Sequence, residues 1–374
     1  MTSCDLPRIQ ISDPGELIET VPYLLGFHPR ESLVLIGLAG VADSTGAVAH
    51  SGPQRVQVTL RLNLPDQLPG RLDARALKPL GDVLRQADSA AMAAVLVTES
   101  VPGDPRSSRA LLACRDLLAT SMDQAGIELL DVLVATERRW WSLCCEQDEC
   151  CPREGHERVL GCSTAAAQAT FAGLVALPDR PAMVATLAGT SAEQRSGLLP
   201  SLADAESRRV DTSVGQAAGR RRAEVADLLA AAADWAAATE LARGGEPRAA
   251  REPGEERVPV RAALTGEQLA RYGVALTDRA VRDAVWVALD EGCTAIGELM
   301  GELHARLPAP YDAAPLFLFG WSQWRAGNST LAMMAAERVL RFQPGYSAAD
   351  LLLTAARSGL DPRAVPALSH RRPG

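Results

Sequence analysis

Leu33-Val34-Leu35-Ile36-Gly37-Leu38 is an unbroken apolar run closed by Gly37 and Gly40. Its length suits a strand, and the lack of polar alternation means that both faces of that strand must be covered. The residues ahead of it, Val21 to Ser32, read as an apolar approach and a tight polar turn. Gly26 and Pro29 bracket the turn, and Ser32 is placed to hydrogen-bond nearby backbone as the chain enters the strand.

The segments that follow supply partners for this strand. Arg55 to Leu62 places Val56, Val58, Leu60 and Leu62 alternately with polar residues, which predicts a strand with one solvated face. A helix is predicted from Asp73 to Ala87, with Pro79 as an obstacle to its first turns. Ala93–Thr98 reads as a short buried strand, and Arg106–Gln124 as a helix stopped by Gly126. Glu128–Thr136 and Arg138–Cys144 complete five strand candidates. Residues 1–160 are therefore expected to form an α/β domain, a mixed sheet with flanking helices.

From Ser163 the pattern turns to Ala-rich helix, and residues 161–367 are expected to form an α-helical domain. Helices are predicted over Ser163–Leu177, Arg180–Ala188, Ser201–Arg209 and Gly215–Arg243. A pair broken near Gly292 follows over Thr277–Arg306. Residues 243–257, rich in Gly, Pro and Glu, read as a mobile loop. Over 315–360 the segments Leu316–Arg325, Leu331–Phe342 and Ser347–Arg357 are separated by Gly327-Asn328 and Pro344-Gly345. Gly320, Ala332 and Pro344 stand where a tetratricopeptide-like helical hairpin places small residues and a terminal proline. One such unit cannot bury its own face, so it is expected to dock on the preceding helices. The tail from Leu368 to Gly374 reads as disordered.

Charge and residue usage exclude several functions. Lys and Arg number 38 against 46 Asp and Glu, a net charge of −8, which argues against a general nucleic-acid or anionic-membrane binder. Residues 1–19 lack the features of a secretory signal, and no run approaches the roughly 20 apolar residues of a membrane span. A cytoplasmic protein is expected, and its eight cysteines then read as thiols or metal ligands. Lys78 is the only lysine and precedes Pro79, which removes both a phosphate-binding loop and Schiff-base chemistry. Gly37-Leu38-Ala39-Gly40 lacks the three-glycine dinucleotide fingerprint. There is no His-Glu-x-x-His helix, and Gly320-Trp321-Ser322-Gln323-Trp324 departs from the nucleophile elbow at its last position.

Two stretches could carry chemistry. His28, Arg30 and Ser32, with Glu31 among them, form either a structural turn or a polar site in which Ser32 is a nucleophile and Arg30 an anion clamp. In doubly wound sheets ligands gather at carboxyl ends of strands, and this turn precedes its strand, which favours the structural reading unless the sheet is wound otherwise. Cys145, Cys150, Cys151 and His156, with Cys144 and Cys162 beside them, are the metal-like set. They read as ordinary thiols in a surface loop, as a zinc site, or as a redox pair. Against zinc stand the adjacency of Cys150 and Cys151 and the lack of a second separated pair. The acidic Asp148 and Glu149 would raise thiol pKa values. Trp140 and Trp141 are expected to point to opposite faces, one into the core and one under the loop. Arg208-Arg209 and Arg220-Arg221-Arg222, close to Glu206, Asp211 and Glu224, read as a solvated helix face.

Leu25-Gly26-Phe27-His28-Pro29 with Ser32-Leu33-Val34, Trp140-Trp141-Ser142 and Cys150-Cys151-Pro152-Arg153-Glu154-Gly155 together resemble an actinobacterial family catalogued as domain of unknown function 4192. The likeness spans nearly the whole chain, with Cys144 as an addition, and implies a bacterial cytosolic protein without an assigned activity. From the residues, three readings stay open. The chain is a non-enzymatic interaction or ligand-binding protein with a protein partner, an enzyme with an inter-domain site near His28, or a carrier of a structural zinc in the Cys144–Cys162 loop.

Overall fold

The computed structural model describes residues 11, 13–39, 55–65, 73–158, 163–171, 174–210, 216–244 and 264–368. The expected mobile loop at 243–257, apart from residues 243 and 244, lies outside them, as do Cys162 and the tail after residue 368. The chain divides into two compact units, Met1–Met183 with Ser358–Asp361, and Val184–Arg357 with Pro362–Gly374. No described helix is long and apolar enough to cross a membrane.

The first unit is a mixed sheet with flanking helices. In chain order its elements are α1 (Pro14–Leu25), β1 (Ser32–Ala39), β2 (Val56–Asn63), α2 (Ala74–Gln86), β3 (Ser89–Val97) and α3 (Pro105–Ala125). Then come β4 (Glu128–Ala135), β5 (Arg139–Ser142), β6 (His156–Glu157) and α4 (Thr164–Phe171). The strands lie in the order β2-β1-β3-β4-β5-β6. β1 is the apolar run, and Leu33, Val34, Leu35 and Ile36 are wholly buried in it. Leu33 and Leu35 share a core with Met92, Leu96 and Val134 of the sheet and with Leu84, Leu111 and Leu118 of α2 and α3. Each such side chain contributes roughly 1.5–3 kcal/mol by leaving water.

Helix ends follow local chemistry. Asp73 caps α2 by accepting from the Ala76 N–H, so the helix starts where expected and simply runs through Pro79. Gly126 ends α3 at φ +69°, as its stop signal required. α1 and β6 are additions to the sequence-based expectation. α1 is specified by the Asp13 cap, Pro14 at the first turn and Gly26 at φ +80°. The expected solvated face on β2 is only partial, because every residue of Val56–Leu62 is half-buried.

β1 runs antiparallel to β3, while β3 and β4 are parallel, so Ser32 stands opposite Val97 and Val97 opposite Ala135. The turn that precedes β1 therefore lies at the carboxyl ends of β3 and β4. The geometric objection to a site at this turn, drawn from its place ahead of its own strand, does not hold for this winding.

The second unit is helical, with α5 (Arg180–Thr186) running into it from the first. It contains α6 (Ala192–Ser196), α7 (Leu199–Val210), α8 (Ala217–Gly244), α9 (Gly266–Leu276) and α10 (Arg279–Asp290). The series ends in α11 (Thr294–Arg306), α12 (Ala313–Arg325), α13 (Ser329–Phe342) and α14 (Ser347–Arg357). α11 to α14 pack as successive pairs. At Gly320 the α12 and α13 backbones approach so closely that an added Cβ would lie 2.9 Å from the Ala335 Cβ. α6 and α9 were not anticipated, although Thr265 and Gln268 form a capping box that announces α9.

Two polar arrangements lock this unit internally. The arginines expected on a solvated face are mostly turned inward. Arg209 is bidentate to Glu224 at 2.9 and 3.1 Å and reaches Asp278 at 3.1 Å, and Arg221 also reaches Asp278 at 2.8 Å. The expectation failed because the acidic partners that suggested solvation are the groups that draw these arginines between helices. Asp290, at the end of α10, has a fully buried side chain. It accepts from Trp321 Nε1 at 2.7 Å, Arg325 Nε at 2.5 Å and Nη2 at 2.6 Å, and the Leu368 N–H at 2.6 Å.

Candidate metal centre

The cysteine loop hangs between β5 and β6, and its frame is fixed before any sulfur is considered. Asp131 of β4 accepts from the Ser142 hydroxyl at 2.7 Å, and Ser142 Oγ accepts from the Cys144 and Cys145 N–H groups at 3.2 and 3.1 Å. Arg115 of α3 donates to the Leu143 carbonyl at 3.0 Å. On the far side, Arg139 donates to the Glu154 and Gly155 carbonyls at 3.0 and 2.8 Å, and Trp141 Nε1 to the Arg153 carbonyl at 3.1 Å. Gly155 takes φ +76° and lies flat on the Trp141 ring, where a Cβ would come within 2.4 Å of Cε2. Trp141 thus serves both as core residue, 9% exposed, and as floor of the loop. Trp140, expected to take one of those two places, instead stacks on His156 at 4.2 Å across the β5–β6 pair.

Within that frame the chain turns back on itself at Gln147, whose carbonyl accepts from the Cys150 and Cys151 N–H groups at 3.1 and 2.7 Å. The turn brings the sulfurs of Cys145, Cys150 and Cys151 within 4.8 Å of one another, and Cys150 and Cys151 to 4.0 Å. Sulfurs on a tetrahedral ion at ~2.3 Å would stand ~3.8 Å apart. The adjacency of Cys150 and Cys151, which weighs against shared ligation in an extended chain, is accommodated by the curvature of this turn.

The thiols are not equivalent. The Gln147 backbone N–H, and after it the Cys151 thiol, hold the Cys145 thiol below its ordinary pKa. The effect expected from the acidic neighbours is therefore reversed at Cys145 by a directed hydrogen bond, which acts at closer range than the surrounding carboxylates. Burial, then the Cys145 and Cys150 sulfurs, push Cys151 up to about 12. One favoured thiolate beside two thiols that resist losing protons is a set that a cation would neutralise. Cys144 is turned away, and burial raises its thiol. The described cysteines are free thiols.

Next to the sulfurs is a cavity of about 260 Å³ lined by Cys145, Cys151, Trp141, Asp148, Arg153 and His156, among others. His156 Nε2 has neither solvent contact nor a hydrogen-bond partner. Among the described residues, only the three cysteines bring ligand atoms within 4.8 Å of one another in a group of three or more.

The other predicted set is arranged differently. Ser32 is wholly buried, and its hydroxyl donates to the Arg30 carbonyl at 2.7 Å and accepts from Arg61 Nε at 2.9 Å. His28 and Arg30 are exposed, and the His28 N–H donates to the Leu177 carbonyl at 2.9 Å. Glu31, at φ +38°, accepts from Thr98 Oγ1 at 3.0 Å and the Glu99 N–H at 3.1 Å. Arg61, Thr98 and Glu99 were not singled out in the sequence, because only the strand order brings them to this turn.

Comparison with protein families gives a match over residues 14–363 to one described as Domain of unknown function (DUF4192). No curated protein and no solved structure matches the chain.

Proposed function

The chain belongs to that family, DUF4192, and from this premise we propose that it is a zinc-binding protein whose ion is held by Cys145, Cys150 and Cys151. The convergence of three sulfurs within 4.8 Å carries the reading. Thiolate ligands select soft or borderline ions, and zinc is the common one that takes such a set without redox chemistry. The buried hydrogen bonds that frame the loop orient the ligands before metal arrives, as supporting contacts around metal sites generally do. A reducing, cytoplasmic setting would keep these thiols available to the ion.

Native mass spectrometry of the zinc-loaded full chain, compared with its denatured mass, is expected to show an excess near 65 Da, about one zinc. Cys145→Ala and Cys151→Ala are expected to remove that excess. At a free zinc concentration of ~100 Kd the ion would contribute ~2.7 kcal/mol, so chelation should lower Tm by roughly 5–10 °C in the native chain and leave Cys145→Ala unmoved. A bare-chain mass after zinc loading would end the proposal.

A second reading concerns the helical unit. The paired packing of α11 to α14, with the close approach at Gly320, favours a tetratricopeptide-like scaffold that binds a protein segment, compatible with a non-enzymatic interaction protein. The enzymatic alternative at His28, Arg30 and Ser32 gains from the turn's position at the carboxyl ends of β3 and β4.

A further inference from the structure

We infer that the fourth coordination position of the Cys145–Cys150–Cys151 centre faces the adjoining cavity and takes a small exogenous thiol. This rests on the zinc reading and adds to it the class of ligand the centre accepts. Structural zinc sites are closed by four protein ligands, whereas three protein ligands leave a position open. Here three sulfurs converge, and no fourth His, Cys, Asp or Glu among the described residues joins them within 4.8 Å. The space beside them is a cavity of about 260 Å³ that Cys145 and Cys151 themselves line. That is room for a ligand of only a few heavy atoms.

His156 points to the same conclusion independently. Its ring is fixed by the 4.2 Å stack on Trp140 and by the β5–β6 pairing, and its Nε2 meets neither solvent nor a partner. A buried polar atom without a partner costs about 1–3 kcal/mol, which an occupant of the cavity able to hydrogen-bond would offset.

The chemistry of the walls selects the occupant. Three thiolates on a dication leave the centre with one net negative charge and soft donor character, which disfavours hard anions such as carboxylates. Glu146 and Asp148 on the cavity wall act in the same direction. Trp141, Pro102 and Pro152 offer apolar surface to a short alkyl group. A neutral thiol meets these conditions. On binding, the zinc–oxygen bond to water breaks, a zinc–sulfur bond forms, and the thiol proton leaves with the water to bulk solvent. Nothing is oxidised or reduced, and Arg153 on the same wall faces the added negative charge.

Cobalt(II) in place of zinc gives a visible spectrum that reports the donor set. Titrating the cobalt-loaded full chain with 2-mercaptoethanol is expected to intensify and shift the ligand-field bands saturably, with cobalt still bound after desalting, while acetate at equal concentration has no effect. His156→Gln is expected to weaken the thiol's apparent affinity about tenfold, the loss of one hydrogen bond to a charged group. Bands that ignore the thiol, or cobalt stripped from the protein by it, would overturn the inference while leaving the metal centre standing. Failure of the chain to bind cobalt or zinc at all would instead remove the zinc reading. An unchanged affinity in His156→Gln would take His156 out of the ligand's contacts.

Discussion

Replacing Asp290 by Ala should destabilise the helical unit by about 3–5 kcal/mol, because it leaves a guanidinium held between helices without its counter-ion. The carboxylate has no solvent exposure and satisfies Trp321, both faces of the Arg325 fork and the Leu368 N–H at once. Arg325 is further tied to the carbonyls of Pro362 and Val365 and lies over the rings of Trp321 and Trp324, so it cannot swing out to water cheaply. Burial pushes the Asp290 carboxyl up, but Arg325, the Leu368 N–H and Trp321 together hold it below the ordinary carboxylate range. A depressed carboxylate contributes stability that is fully present above its unfolded pKa, near ~3.9, and is lost as pH falls through the lower folded value. Urea unfolding of the native chain and of Asp290→Ala should therefore differ by a constant amount between pH 5 and 8 and converge below about pH 4. A gap that persists undiminished at pH 3 would mean that the packing of the side chain, not its charge, is what matters.

Glu19→Ala should have an effect of similar size on the sheet unit. Glu19 of α1 receives both Nε and Nη2 of Arg158 at 2.9 Å, with the two side chains 11% and 10% exposed, and Arg158 also donates to the Thr136 carbonyl at the end of β4. Removing the acid strands a nearly buried cation, at a cost of about 3–5 kcal/mol, or roughly 10 °C in Tm for a unit of this size. The double variant Glu19→Leu with Arg158→Met is expected to recover most of that loss, since replacing both charges removes the desolvation cost together with the attraction. If the single variant loses less than about 1 kcal/mol, the pair is solvated in solution and does not hold α1 to the sheet.

The strands were legible because their signal is local. An apolar run such as Leu33–Leu38 has to be buried wherever it goes, and alternation or its absence says on how many faces. The helix ends at Asp73 and Gly126 were legible for the same reason. α1 was missed because Glu16, Glu19 and Pro22 dilute its apolar stripe. Its cap at Asp13 was there to be read, and Glu19 is buried only because Arg158 lies 139 residues further on. Strand order was not legible, and with it went the position of the His28–Ser32 turn, which depends on β1 running against β3. The cysteines were visible as a set, but their convergence was not. It depends on one backbone turn at Gln147, and the depressed thiol at Cys145 depends on one N–H whose direction no composition argument supplies.

The antiparallel seat of β1 at the middle of the sheet also bears on how the unit assembles. β3, α3 and β4 follow one another directly, so their pairing closes a short stretch of chain. β1 must find β3 across a distance that, from Ser32 to Val97, spans roughly 65 residues of sequence. Such non-local pairing places the sheet unit among slow two-state topologies, with refolding in milliseconds to seconds rather than microseconds. Until β1 docks, the apolar edge of β3 stays open to other chains, so the run that dictates the native sheet is also what the nascent protein must shelter longest.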